Sequence, residues 1–257
     1  MPTKQPQLYL SGDPEADRLL SKDSLALLIG MVLDQQIPLE WAFYGPFNLQ
    51  QRIGSYDATT IADMAESELV AAFLARPALH RFPAAMARRT QAMCQQLVSD
   101  YGGDAARLWK TATSGTELLD RVQALPGFGK QKAKIFVALL GKQFGVKPPG
   151  WEEAASPFGE AGSHLSIADI DSPEALTLVR QHKREMKLAA RAAAPVAKKT
   201  AGRTAARATA AAGSAKAPAR KRVPKKPAAR SGAPNRSAAS KRAPAGAGSA
   251  KKAATGA

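Results

Sequence analysis

The feature that most constrains this 257-residue chain is where its charge sits. Of 37 Lys and Arg and 21 Asp and Glu, residues 191–257 hold 17 of the bases and none of the acids, so residues 1–190 carry 20 against 21. The +16 formal charge is therefore a property of the C-terminal segment, and the body is near −1. Residues 191–257 contain no Phe, Tyr or Trp and consist almost wholly of Ala, Lys, Arg, Pro, Gly, Ser and Thr. Such a composition buries too little apolar surface to offset the entropy of ordering. The expectation is one folded domain over 1–190 and a disordered basic tail over 191–257.

Several chemistries drop out early. One cysteine, Cys94, and three histidines, His80, His164 and His182, give no disulfide framework and too few ligands for a four-coordinate zinc site. A four-cysteine iron–sulfur cluster needs more thiols than the chain has. No metal or cofactor is expected. No stretch approaches the roughly 18 apolar residues of a membrane span, and Met1-Pro2-Thr3-Lys4-Gln5-Pro6 lacks a secretory apolar run. The expected setting is cytoplasmic, with no membrane partner.

The body reads as all-α. Ser24 to Leu33 is apolar nearly all round, the pattern of a buried helix, and runs into Asp34-Gln35-Gln36-Ile37-Pro38, where Pro38 ends it or begins the next. Asp57 stands as N-cap before Ala58–Ala65 and Ser67 before Glu68–Leu74. A longer helix from Pro83 to about Tyr101 closes at Gly102-Gly103. Ser114-Gly115-Thr116-Glu117 fits a capping box for a helix bearing Leu118, Leu119, Val122 and Leu125. The next starts near Lys130 and stripes Ala133, Phe136, Val137, Leu140 and Phe144 at three- and four-residue steps. Ser172-Pro173-Glu174 caps a last helix through Leu176 and Val179 to about Met186. Alternating β-branched runs are missing, and nothing repeats at a solenoid period.

Leu125-Pro126-Gly127-Phe128-Gly129-Lys130 joins two of these helices. One proline and two glycines make a tight turn, and the backbone amides opening the second helix lack intrahelical partners. With the helix dipole and Lys130, Lys132 and Lys134 they suit one or two phosphates without reading sequence. A plain glycine-containing helix–helix turn is the bland alternative. The full string Leu-Pro-Gly-Phe-Gly-Lys-Gln-Lys-Ala resembles the helix-hairpin-helix motif of the HhH-GPD superfamily of DNA glycosylases. The buried helix ending in Leu33-Asp34-Gln35-Gln36, roughly 90 residues earlier, resembles the early helix and Gln-rich loop of that superfamily. Together the two stretches span about residues 24–155.

The resemblance implies a helical base-excision fold that flips its target base out of the stack. It makes Gln35 and Gln36 candidates for probing the gap or the opposite base. It also implies an Asp, some seven residues past a Phe-Gly, that assists departure of the base. Here the spacing after Phe144-Gly145 falls on Glu152, with Glu153 next, and no Asp occurs between Asp120 and Asp169. Three readings stand. Glu152 does the Asp's work, Asp169 or Asp171 swings in, or catalysis is lost and DNA binding kept. A first-turn Glu is as readily a simple dipole partner. Asp34, beside Gln35, faces the same cleft in relatives. The lysine of bifunctional members falls on Gln131, flanked by Lys130 and Lys132 pointing about 100° to either side. Any enzyme here is thus expected to be monofunctional. Trp41, Phe43, Tyr44 and Trp151 are candidates for an aromatic base pocket, and equally for core or rim packing. His80-Arg81-Phe82-Pro83 reads as a solvated loop or a contact to phosphate or base.

Tail clusters such as Arg220-Lys221-Arg222 and Lys225-Lys226 resemble those of linker histones and bacterial nucleoid proteins. They imply tight, sequence-nonspecific, salt-sensitive contact with double-stranded DNA. Two functions follow for a monomeric, nucleoid-associated protein. One is a monofunctional DNA glycosylase led by Glu152; the other is a non-catalytic DNA-binding or damage-sensing protein on the same fold. A two-metal nuclease is disfavoured by the lack of a clustered acidic pair.

Overall fold

The computed structural model describes residues 6–193, and over them the chain is all-α, with no strand among the described residues. Eleven helices follow in order: α1 (Pro14–Lys22), α2 (Ser24–Leu33), α3 (Leu39–Ile53), α4 (Ala58–Asp63), α5 (Glu66–Leu74), α6 (Pro83–Tyr101), α7 (Arg107–Lys110), α8 (Gly115–Ala124), α9 (Lys130–Gln143), α10 (Trp151–Ala155) and α11 (Pro173–Ala193). A 3-10 turn, Ile167–Asp169, precedes the last. The tail expectations, including Arg220, Lys221, Arg222, Lys225 and Lys226, lie outside the described residues.

The apolar run of α2 makes it the central helix: every residue from Leu25 to Leu33 is buried. It packs against α1, α3 and α6. Burying each large side chain is worth about 1.5–3 kcal/mol, so this helix anchors the body. Its glycine is a matter of fit. A Cβ on Gly30 would stand 2.8 Å from the Phe43 ring, and one on Gly45 2.5 Å from Leu33, so the two glycines let α2 and α3 approach closely. Phe43 is consequently core and fully buried. Helices α4 and α5 lie on α6, while α8, α9, α10 and the 3-10 turn form a second group. Phe136 of α9 joins that group's core, meeting Trp109 and Phe128 edge-on at 5.9 and 5.7 Å.

Local signals mostly place the ends. Asp23, Asp57 and Ser114 cap α2, α4 and α8 through side-chain acceptors, and Gly102 closes α6 in the left-handed conformation at φ +64°. Pro38 begins α3. Ser67 is not a cap: α5 starts one residue before it, with Ala65 at the N-cap and Glu66 and Glu68 charging its first turn. Helix α4 stops at Asp63 because Met64 turns extended. The box at α8 is offset, for Glu117 reaches back to the Thr113 amide at 2.8 Å while Ser114 accepts from Glu117 at 3.1 Å. Thr113 and then Arg121 hold the Glu117 carboxyl down at about 2. Helix α11 runs past Met186, to Ala193.

Candidate functional site

The hairpin forms where the sequence predicts it. Helix α8 ends at Ala124, Leu125 is its buried C-cap, and the Phe128 amide closes the turn onto the Leu125 carbonyl at 3.1 Å. Gly127 has φ +94°, and a Cβ there would come within 2.8 Å of Arg89 Cδ. Both backbone and packing therefore demand glycine. Gly129 differs: its φ is −82°, and a Cβ would meet nothing within 4 Å. It is the N-cap of α9 with no side chain capping it, so the first amides of a 14-residue helix face open space.

Behind those amides lies a cavity of about 890 Å³ whose lining includes Asp34, Gly129, Lys130, Gln131, Lys132, Phe158, Lys183 and Met186. The two helical groups meet there, so the end of α2 faces the start of α9. Asp34 is the C-cap of α2. Burial raises its carboxyl pKa, while the nearby cations Lys183 and Lys132 oppose the rise. Lys132 turns inward and donates from Nζ to the Met31 carbonyl at 2.6 Å and the Val32 carbonyl at 3.4 Å, satisfying two of the orphan acceptors at the end of α2. Burial pushes its ammonium down to about 8, against the pull of Asp34.

The Gln35-Gln36 loop is built on the same rim. Gln35 Nε2 donates to the Val32 carbonyl at 2.7 Å, and its Oε1 accepts from Arg89 Nη1 at 2.9 Å. His80 is buried, not solvated. Its Nδ1 accepts from the Phe82 amide at 3.0 Å, which leaves the proton on Nε2, 2.8 Å from the Gln35 carbonyl oxygen. Burial lowers its pKa and so favours that neutral tautomer. Gln35 is thus locked into the body. Gln36 is exposed at φ +56°, the left-handed region seldom used by side-chain-bearing residues.

Other expected residues go elsewhere. Lys134 donates to the Ser156 carbonyl at 2.8 Å, which leaves Lys130 as the exposed base of the hairpin's three. Glu152 is exposed on the short α10 and lines a separate depression with Asp169 and Asp171. That depression holds Lys142 of α9, about 18 Å of helix rise from Lys130. Asp169 is structural: it accepts from Lys142 at 2.5 Å, Ser163 at 3.0 Å and the Leu165 and Ser166 amides at 2.9 and 3.0 Å. Asp171 is exposed. Of the four carboxylates the sequence offered, Asp34 is the one that lines the hairpin cavity. The aromatic candidates do not converge there either. Trp41 donates to the Ala78 carbonyl at 3.0 Å, Tyr44 packs on Phe47, and Trp151 covers Gly141 near the far end of α9.

Sequence reasoning missed Phe158, Lys183 and Met186 as cavity residues. Phe158 lies in an irregular stretch with no periodic signal, whereas the helical spacing of Arg180, Lys183, Arg184 and Lys187 is a signal that could have found Lys183. No family model matches the chain, and comparison with curated proteins and with solved structures gives no match.

Proposed function

We propose that the chain binds double-stranded DNA through the Gly127–Lys130 hairpin and acts as a monofunctional DNA glycosylase, with Asp34 as its catalytic carboxylate. The observation that carries this reading is one shared wall: Asp34, Lys130 and Lys132 line a single cavity of about 890 Å³ with the hairpin at its edge. A perturbed carboxyl and a perturbed amine in one cleft mark functional sites more often than ordinary surface.

In this reading the free amides of α9 and Lys130 hold a backbone phosphate. An extruded nucleotide enters the cavity, and Asp34 stabilises the positive charge that grows on the sugar as the electron pair of the N-glycosidic bond leaves with the base. Burial disfavours the ionised form that this task needs, and Lys183 and Lys132 offset part of that cost. The Lys132 amine is committed to two carbonyls, which suits a positioning charge better than a nucleophile.

The test is base release by the full chain on duplexes bearing uracil, alkylated purines, hypoxanthine, 8-oxoguanine or mismatched adenine, developed with alkali. Release that disappears in Asp34→Asn and persists in Glu152→Gln is expected. Nicking without alkali would refute monofunctional action and shift attention to Lys132. A second reading, DNA binding without catalysis, is favoured by the distance of Glu152, Asp169 and Asp171 from the hairpin. No release from any substrate, with tight binding to an abasic analogue, would select it.

A further inference from the structure

Helix α11 carries more charge than its packing explains. It is held to the body by Ala175 and Val179, both buried, and by an ion pair from Arg180 to Glu40. Beyond Val179 no described side chain of the helix is buried. Yet Arg180, Lys183, Arg184 and Lys187 recur at three- and four-residue steps, which confines them to a sector of about 100° around the axis. Glu174 and Glu185 lie about 120–140° from Arg180, on the opposite side. Lys183, Arg184 and Lys187 are exposed, and none of them forms an ion pair among the described residues.

This stripe adjoins the hairpin cavity. His182, Lys183 and Met186 line it from α11 while Gly129, Lys130 and Gln131 line it from α9. The helix's own acids are turned away, Glu40 and Asp34 of the body meet the stripe at Arg180 and Lys183, and the exposed cations that remain at the cavity edge are complementary to a polyanion lying across that opening. The sequence that follows α11, residues 194–257, continues the same charge with 16 bases and no acids.

We infer that α11 is a second DNA-contacting element, its Lys183, Arg184 and Lys187 binding backbone phosphates of the duplex that flanks the nucleotide presented to the cavity. The inference rests on the proposed reading of the hairpin and adds an interface to it. The two elements then hold the duplex at two places, which fixes its direction across the cavity, something a single hairpin does not do.

The experiment maps the position of α11 on DNA. Cys94 is fully buried, so a single introduced surface cysteine on the full chain accepts an iron–EDTA cleavage reagent selectively. Three variants are compared on a duplex with one abasic analogue: Lys187→Cys on the stripe, Glu185→Cys on the opposite face and Lys130→Cys at the hairpin. Strand scission from Lys187→Cys in a compact cluster beside the analogue, with background cleavage from Glu185→Cys, is expected. Equal cleavage from both faces overturns the inference. So does background cleavage from Lys187→Cys alongside strong cleavage at the analogue from Lys130→Cys, and the hairpin reading then stands. Background from all three, with binding intact, overturns the hairpin reading itself. In parallel, Lys183→Ala/Arg184→Ala/Lys187→Ala is expected to flatten the slope of log affinity against log salt by about 2–3, since each phosphate contact contributes roughly 0.9. An unchanged slope counts against the contact.

Discussion

Substituting the two hairpin glycines one at a time separates the fold of the turn from its use. At Gly127 an alanine would hold φ +94°, a conformation that costs an L-residue about 1–2 kcal/mol. Its Cβ would also sit 2.8 Å from Arg89 Cδ, so Arg89 must move and its 2.9 Å bond to Gln35 is lost. A hydrogen bond from a charged donor is worth about 1.5–3 kcal/mol, and side-chain rearrangement recovers part of it. The sum is a destabilisation of about 2–4 kcal/mol, or roughly 4–16 °C in Tm for a domain of this size. At Gly129 an alanine keeps φ −82° and meets no neighbour within 4 Å. Its stability cost is at most about 1 kcal/mol, the preference of an N-cap for Gly over Ala. In the proposed reading a phosphate approaches the α9 amides through the open space beside Gly129, which the added methyl group would crowd. Urea melts followed by circular dichroism should therefore rank Gly127→Ala well below Gly129→Ala. Binding of the folded Gly129→Ala chain to an abasic analogue, measured in salt high enough to suppress non-specific contact, should weaken several-fold. Equal melts for the two variants would refute the packing argument, and unweakened binding by Gly129→Ala would refute the phosphate site.

Other expectations concern charge and capping. Because burial raises the Asp34 pKa, the folded state binds its proton more readily than the unfolded chain, and stability falls as pH rises above the ordinary carboxyl value of 3.8. Asp34→Asn should accordingly be more stable than the native chain at pH 7 while losing base release; a less stable variant would argue for a structural role. Lys132 carries the opposite sign: with its folded pKa near 8 against 10.5, the unfolded chain binds more protons across that window, so stability should rise from pH 8 to 10.5. Burial raises the Cys94 thiol to about 12, which opposes the rise above pH 9, so the contribution is read as the difference in urea midpoint between the native chain and Lys132→Gln, which should grow as pH rises from 8; a constant difference would refute it. Arg52 donates to the carbonyls of Ala72, Ala75 and Pro77 at 2.7, 3.1 and 2.7 Å, closing the end of α5 with one guanidinium. Arg52→Lys cannot reproduce that fork and should cost about 1–3 kcal/mol in the same melts, and an unchanged midpoint would show that the fork contributes nothing.

Much of the architecture was legible because helix signals are local. Apolar residues located α2, α8 and α9, proline and glycine located the hairpin, and Asp57 and Ser114 located the starts of α4 and α8. Other pieces were not read: α7 and α10, of four and five residues, are too short to establish a period, α1 was overlooked although Asp13 and Pro14 mark its start, and Pro46 lies inside α3 without ending it.

The site divides along the same line. Sequence alone determined that a Gly-containing hairpin opens α9, that Gln35 and Gln36 follow a buried helix, and that the positive charge gathers after residue 190. These depend on residue order and on interactions a few positions long. Only the tertiary structure decided which carboxylate faces the hairpin. Chain spacing pointed to Glu152, but α9 carries the chain about 18 Å from Lys130 before α10 begins, whereas α2, roughly 100 residues earlier, delivers Asp34 to the cavity wall. It likewise decided that Lys132 turns inward while Lys130 faces water. A helix fixes the angle between neighbouring side chains, and only its packing partners fix which angle is inside.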